Sequence, residues 1–188
     1  MTEKVKQLTY SALMCAMIIA STLWIKFTLP GTDVLFTTQV FFVLLCGYLL
    51  PVRYCFLSIG TYLFLGLIGI PVFSATQGMG VIVTPSFGYL LAFPFTAAAV
   101  SWARTFLGER MGARLAAAAL GICVMYLIAL SYIAALRGLY LSTPVPFQTL
   151  LLSYCLAFLP LDIVKGVLAA MLSVRLEKPL GIRRQAAR

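Results

Sequence analysis

Pro160-Leu161-Asp162-Ile163-Val164-Lys165 sets a carboxylate and an ammonium three residues apart inside an otherwise apolar segment. No other residue between Arg137 and Arg175 carries a charge. Ionisable groups in hydrocarbon are costly and persist where they face a bundle interior, pair with one another or meet a ligand. Positions i and i+3 of a helix share a face, so Asp162 and Lys165 can address one small molecule together. Pro160 weakens the backbone ladder beside them and can leave a carbonyl free to accept from a ligand.

The rest of the chain says what medium surrounds this pair. With 188 residues, 62% hydrophobic, 10% charged and a mean hydropathy of +1.03, it is too apolar for a soluble domain of its size. The expected fold class is an all-α membrane protein built as a single integral membrane domain over residues 1–188. Apolar runs fall at about 8–27, 35–50, 54–70, 86–103, 115–136 and 147–174, which gives six transmembrane helices. A helix needs roughly 20 residues to cross about 30 Å of hydrocarbon, so the second and third crossings are brief and the sixth is long or kinked. Period-2 alternation is absent, which argues against a barrel.

Lys4, Lys6, Arg53, Arg104, Arg110, Arg114, Arg175, Lys178, Arg183, Arg184 and Arg188 collect on one side of these runs, whereas Lys26 and Arg137 stand on the other. That asymmetry places both termini in the cytoplasm. In a soluble protein the net charge of +9 would suggest nucleic acid; here its placement implies membrane lipid and no nucleic acid. The first run is long and lacks a small-x-small cleavage site, so it is expected to remain as the first helix. Counting back from Arg175 at the interface, Asp162 lies about 20 Å up the helix and Lys165 about 15 Å, which puts Asp162 in the outer half.

Other residue types exclude whole classes of chemistry. The chain has no histidine, which excludes His-ligated zinc, His-based triads and His proton relays. Cys15, Cys46, Cys55, Cys123 and Cys155 are scattered singly and read as packing residues. No G-x-x-x-x-G-K-[ST] occurs, so an ATPase would have to be a separate chain. No metal or cofactor is expected.

Several polar or small residues gather around the expected site. Thr37 and Gln39 stand at the mouth of the second helix, after a Pro30-Gly31 turn; they either cap it or point at a ligand. The stretch 74–84 carries no charge but contains Val, Ile and Met, so it is expected to fold back as a lid, with Gln77 in it and Gly78 and Gly80 giving bends. Ser86, Gly88 and Tyr89 open the fourth helix, where Gly88 allows close approach beside an aromatic ring with a polar tip. Ala12, Ala16 and Ala20 form a small-residue stripe on the first helix, suited either to internal packing or to a partner subunit.

Taken in order, Thr37-x-Gln39, Tyr62-Leu63-x-Leu65-Gly66-x-x-Gly69-Ile70-Pro71-Val72-Phe73, the glycine-bearing loop, Pro85-Ser86-x-Gly88-Tyr89-Leu90 and Asp162-x-x-Lys165 resemble the BioY family over roughly residues 8–174. These are biotin-binding S components of energy-coupling factor (ECF) transporters. The resemblance implies a six-helix S-component bundle in a prokaryotic plasma membrane, binding biotin near the external face under two loops. As partners it implies a transmembrane coupling (T) subunit and two cytoplasmic ABC-type ATPase subunits. It assigns the Ala12, Ala16 and Ala20 stripe to the T subunit.

Biotin's ureido ring offers N–H donors and a carbonyl acceptor, which suits Asp162 and Lys165, while Tyr89 packs on the bicycle and Gln77, Thr37 and Gln39 supply further polar contacts. No basic residue lies between Arg53 and Arg104 to hold the ligand's carboxylate, so either Lys165 or the hydroxyls of Thr84 and Ser86 take it. The alternatives are an S component for thiamin or riboflavin, or an intramembrane hydrolase using Asp33 with Asp162, or a serine with Lys165 as base.

Overall fold

The structure, a computed structural model, describes residues 2–24, 26–28, 34–74, 76–142 and 146–180. The Pro30-Gly31 turn, Asp33, the Thr143-Pro144-Val145 stretch and the terminal Arg183, Arg184 and Arg188 lie outside the described residues. The chain is mostly helical, with α1 at Glu3–Trp24, α2 at Gln39–Leu49, α3 at Val52–Leu67, α4 at Ser86–Leu107, α5 at Met111–Ala135, α6 at Phe147–Leu151 and α7 at Leu159–Leu180.

Two departures from the sequence expectation shape the site. The first apolar run stops at Trp24, and Lys26–Thr28 (β1) pairs antiparallel with Leu35–Thr37 (β2), Lys26 opposite Thr37 and Phe27 opposite Phe36. The fold is therefore not all-α: residues 35–37, expected to begin the second helix, form a strand. Aromatic and β-branched residues in both segments favour this pairing, but three-residue strands are too short to show a period in sequence. The second departure is in the sixth run, which is broken. α6 passes into a π turn at Leu152–Leu156 before α7 begins, and Pro160, at the second position of α7, offers no N–H to the preceding turn.

The bundle is organised around α2. Nine of its eleven residues are buried, Gln39, Val40, Val43, Leu44, Leu45, Cys46, Gly47, Tyr48 and Leu49 among α1, α3, α4 and α7. A helix covered on all sides reads as continuous apolar sequence without a polar stripe. α5 shows the opposite pattern: Ala117, Gly121, Ile122, Met125, Tyr126, Ala129 and Ile133 are buried, while Leu115, Leu120 and Leu127 face outward. Large apolar side chains are exposed elsewhere too, including Phe64, Trp102, Phe106 and Val164. An outward shell of this kind belongs in lipid. α4, the segment 111–140 and the segment 147–177 are long and apolar enough to cross a membrane, whereas α2 and α3 are shorter apolar helices.

α7 forms the spine of the site. Asp162, Lys165, Gly166, Ala169, Ala170 and Ser173 are buried, with Ile163, Val164, Val167, Leu168, Met171 and Val174 exposed between them. Small residues in the middle of the buried stripe let α2 and α5 approach closely. A Cβ at Gly166 would meet Ile122 Cδ1 at 3.3 Å and Ala118 Cβ at 3.4 Å. Polar groups occupy the two ends of the stripe. At the far end Glu177 accepts both guanidinium nitrogens of Arg114, at 2.9 and 2.6 Å, and also pairs with Arg104, while Ser173 accepts from Arg114 at 2.7 Å. That network ties α4, α5 and α7 together about 22 Å from Asp162.

Candidate functional site

Asp162 and Lys165 stand one turn apart on the buried face of α7, 3% and 8% exposed. Lys165 Nζ donates to Asp162 Oδ1 at 2.8 Å and to the Thr37 carbonyl at 2.8 Å. It also sits 3.8 Å from the centre of the Phe36 ring, a cation–π approach. Asp162 Oδ2 accepts the Tyr126 hydroxyl at 2.6 Å. A buried ion pair offsets its desolvation only when further hydrogen bonds satisfy its remaining groups, and Thr37 and Tyr126 supply them. An ammonium has three donors and a carboxylate about four lone-pair sites, so each partner keeps capacity for a ligand.

These groups form one wall of a compact cavity with about 60 Å³ open to the centre of a water molecule. Its sides are aromatic. Phe36 and Phe158 stack with ring centres 6.5 Å apart, Tyr89 leans on Phe158 at 6.3 Å, and Phe73 and Phe93 complete the walls. A neutral polar group is built from Thr37 of β2, Gln39 of α2, Tyr62 of α3 and Ser74 in the loop after α3. The Gln39 amide oxygen accepts from the Thr37 hydroxyl at 3.0 Å and the Ser74 hydroxyl at 3.5 Å, and its nitrogen donates to the Tyr62 hydroxyl at 2.6 Å. The cavity therefore has a charged pole and a neutral polar pole that meet at Thr37, with aromatic and apolar faces around them. It suits a small, flat, partly polar molecule that offers both donors and acceptors.

The roof comes from the two loops. Val34–Thr37 of the hairpin closes one side, tied to α7 through the bond from Lys165 to Thr37. The uncharged stretch expected to be a lid does fold back: Gly78–Val83 is a 3-10 turn with Val81 buried against the cavity. Gly78, at φ +69°, takes the left-handed conformation that starts this turn. The Tyr132 hydroxyl donates to the Ile82 carbonyl and pins the turn to α5.

Of the residues singled out in the sequence, Asp162, Lys165, Tyr89, Gln39, Thr37 and Ser86 line this cavity together. Gln77 and Gly88 stand elsewhere. Gln77 braces the lid from within, its side chain donating to the Phe73 carbonyl at 2.8 Å and accepting from the Phe73 N–H at 3.1 Å. Gly88 is where α4 meets α5, and a Cβ there would fall 2.9 Å from the Ala129 carbonyl oxygen. The Thr84 hydroxyl donates to Val81 O at 2.7 Å and so serves the lid.

Sequence reasoning did not find Tyr126, Phe36, Phe158 or Ser74. Tyr126 had one readable signal, a polar tip among the apolar buried residues in the middle of α5, but only the packing of α5 on α7 tells which group it meets. Ala12, Ala16 and Ala20 are exposed on α1, and the first two share a shallow groove with Leu57, Ser58 and Thr61 of α3.

The BioY family model matches residues 1–181. The chain belongs to the BioY family. The biotin transporter BioY of Thermotoga maritima is 31% identical over 181 residues, 92% of this chain and 96% of that protein. The biotin transporter BioY of Lactococcus lactis is 31% identical over 196 residues, covering 95% and 94%. A crystal structure of the S-component for biotin from an ECF-type ABC transporter superposes with a TM-score of 0.83 at 28% identity, over 97% of this chain and all of that one. The chain is accordingly a transporter subunit rather than an enzyme.

Proposed function

We propose that the chain is the substrate-binding S component of an ECF-type transporter and captures biotin between α2, α4 and α7. The observation that carries this reading is the Asp162–Lys165 wall inside an aromatic cavity of a BioY-family chain. Along each edge of biotin's cyclic urea an N–H donor lies beside the carbonyl acceptor. Asp162 and Lys165 offer the complement, an acceptor beside a donor 2.8 Å away. Phe36, Phe158 and Tyr89 suit the apolar thiophane ring, and the valerate reaches toward Ser74, Ser86 and Gln39 at the neutral pole.

The same reading extends to topology and partners. The chain is a multi-pass protein of the prokaryotic cell membrane with six crossings and both termini inside, supported by the distribution of Lys and Arg. It carries no P-loop, so transport energy comes from two cytoplasmic ABC-type ATPases through a T subunit that docks on the exposed Ala12, Ala16 and Ala20 face of α1.

The other readings lose support. Lys165 holds two oxygens as a donor, which does not suit a general base for a serine nucleophile, and Asp33 lies outside the described residues. Thiamin is a cation, and riboflavin's three fused rings are larger than the compact aromatic box, so neither is favoured. A thermal-shift screen of the purified protein against biotin, thiamin and riboflavin tests the assignment, because a tight ligand stabilises the folded state by mass action. Biotin alone is expected to raise the unfolding midpoint. A rise with thiamin or riboflavin and none with biotin overturns the reading.

A further inference from the structure

We propose that Tyr126 is a positioning residue for ligand recognition: it fixes the plane of the Asp162 carboxylate so that its free lone pairs meet the ligand's N–H. This rests on the biotin reading of the site. Tyr126 lies on α5 and does not line the cavity, yet its hydroxyl reaches Asp162 Oδ2 at 2.6 Å, while Lys165 holds Oδ1 at 2.8 Å. The torsion that turns a carboxylate about its last bond is broad and roughly two-fold, so one anchor leaves the group free to swing. Two donors, one on each oxygen and from different helices, remove that freedom before the ligand arrives. Binding then avoids the cost of ordering the acceptor, as preorganisation requires.

The surroundings of Tyr126 fit this role. The residue is 6% exposed, and its ring meets Tyr89 edge to face at 6.2 Å and 86°. Tyr89 is held in turn by its hydroxyl, which donates to the Tyr154 carbonyl, and it leans on Phe158 in the cavity wall. One buried phenol thus sets both the carboxylate and the aromatic face that a bound ring system would touch. Because the hydroxyl donates, Oδ2 is kept as an acceptor and the site selects a ligand with an N–H at that point.

Tyr126→Phe removes the donor and keeps the ring. It is expected to leave the unfolding midpoint of the ligand-free protein within a few degrees and to weaken biotin binding by at least about tenfold, the scale of a hydrogen bond to a charged group. A purely structural contribution would add independently to other losses. A positioning role predicts coupling instead: in an Asp162→Asn background, Tyr126→Phe should cost less than about threefold. Additive losses overturn the proposal.

If Asp162→Asn binds too weakly to titrate, infrared difference spectra of the ligand-free proteins decide. The carboxylate band identified by Asp162→Asn must shift on Tyr126→Phe, and an unmoved band overturns the role. The two readings fail separately. A wild-type protein that binds no biotin overturns the functional assignment and the Tyr126 role with it, whereas normal wild-type binding with an additive cycle overturns the Tyr126 role alone.

Discussion

At the scale of single residues, the site turns on how a charged pair survives in an apolar bundle. Asp162 and Lys165 neutralise each other, but each also has a neutral partner, Tyr126 and the Thr37 carbonyl. The pair is thereby oriented, and a ligand adds to its hydrogen bonds without having to build them. In the proposed reading biotin's ureido edge meets this pair. If the ureido edge meets the pair, Lys165→Ala should weaken biotin and biotin methyl ester to the same degree, at least about tenfold each, since a charge-assisted hydrogen bond is lost in both cases. Calorimetry on both ligands checks it. An ester that already binds poorly to wild type, and loses nothing more in the variant, would place the carboxylate at Lys165 instead.

At the scale of elements, α7 is a strut pinned at both ends. Its Gly166, Ala169 and Ala170 stripe lets α2 and α5 close on it, and Glu177 holds Arg114 and Arg104 at the end away from the cavity. Breaking a buried ion pair by removing one partner costs about 3–5 kcal/mol because the remaining charge is left uncompensated. Glu177→Gln is therefore expected to lower the unfolding midpoint clearly while the affinity of the surviving folded protein for biotin changes by less than about threefold. Thermal unfolding in detergent, with binding measured well below the midpoint, reads both quantities.

The elements also show what a sequence can convey. The buried face of α7 was legible from two charges at i and i+3, and the lid from an uncharged stretch too apolar to be solvated. The hairpin Lys26–Thr28 with Leu35–Thr37 was not, because three residues per strand cannot display alternation and Leu35-Phe36-Thr37 runs directly into the apolar α2. Gln77 and Gly88, expected beside the ligand, stand instead in lid bracing and in the contact between α4 and α5. Partners such as Tyr126 and Phe158 depend on which helix faces which, and a pattern along one chain does not encode that.

At the scale of the whole molecule, the cavity and the groove between α1 and α3 are separate features, with biotin capture and T-subunit docking as their proposed roles. The groove formed by α1 and α3 shares no lining residue with the cavity. Ala16→Trp, which places a large side chain where a helix would dock, is expected to leave biotin affinity within about twofold and to abolish co-purification with a T subunit. Retained co-purification would remove the stripe from the interface.

The central claim is that the Asp162–Lys165 cavity binds biotin. The direct measurement is a calorimetric titration of biotin into the wild-type protein and Asp162→Asn, both in lipid nanodiscs and freed of ligand. One saturable site is expected in the wild type and at least a tenfold weaker site in the variant. No binding by the wild type, or equal affinity in the two proteins, would contradict it.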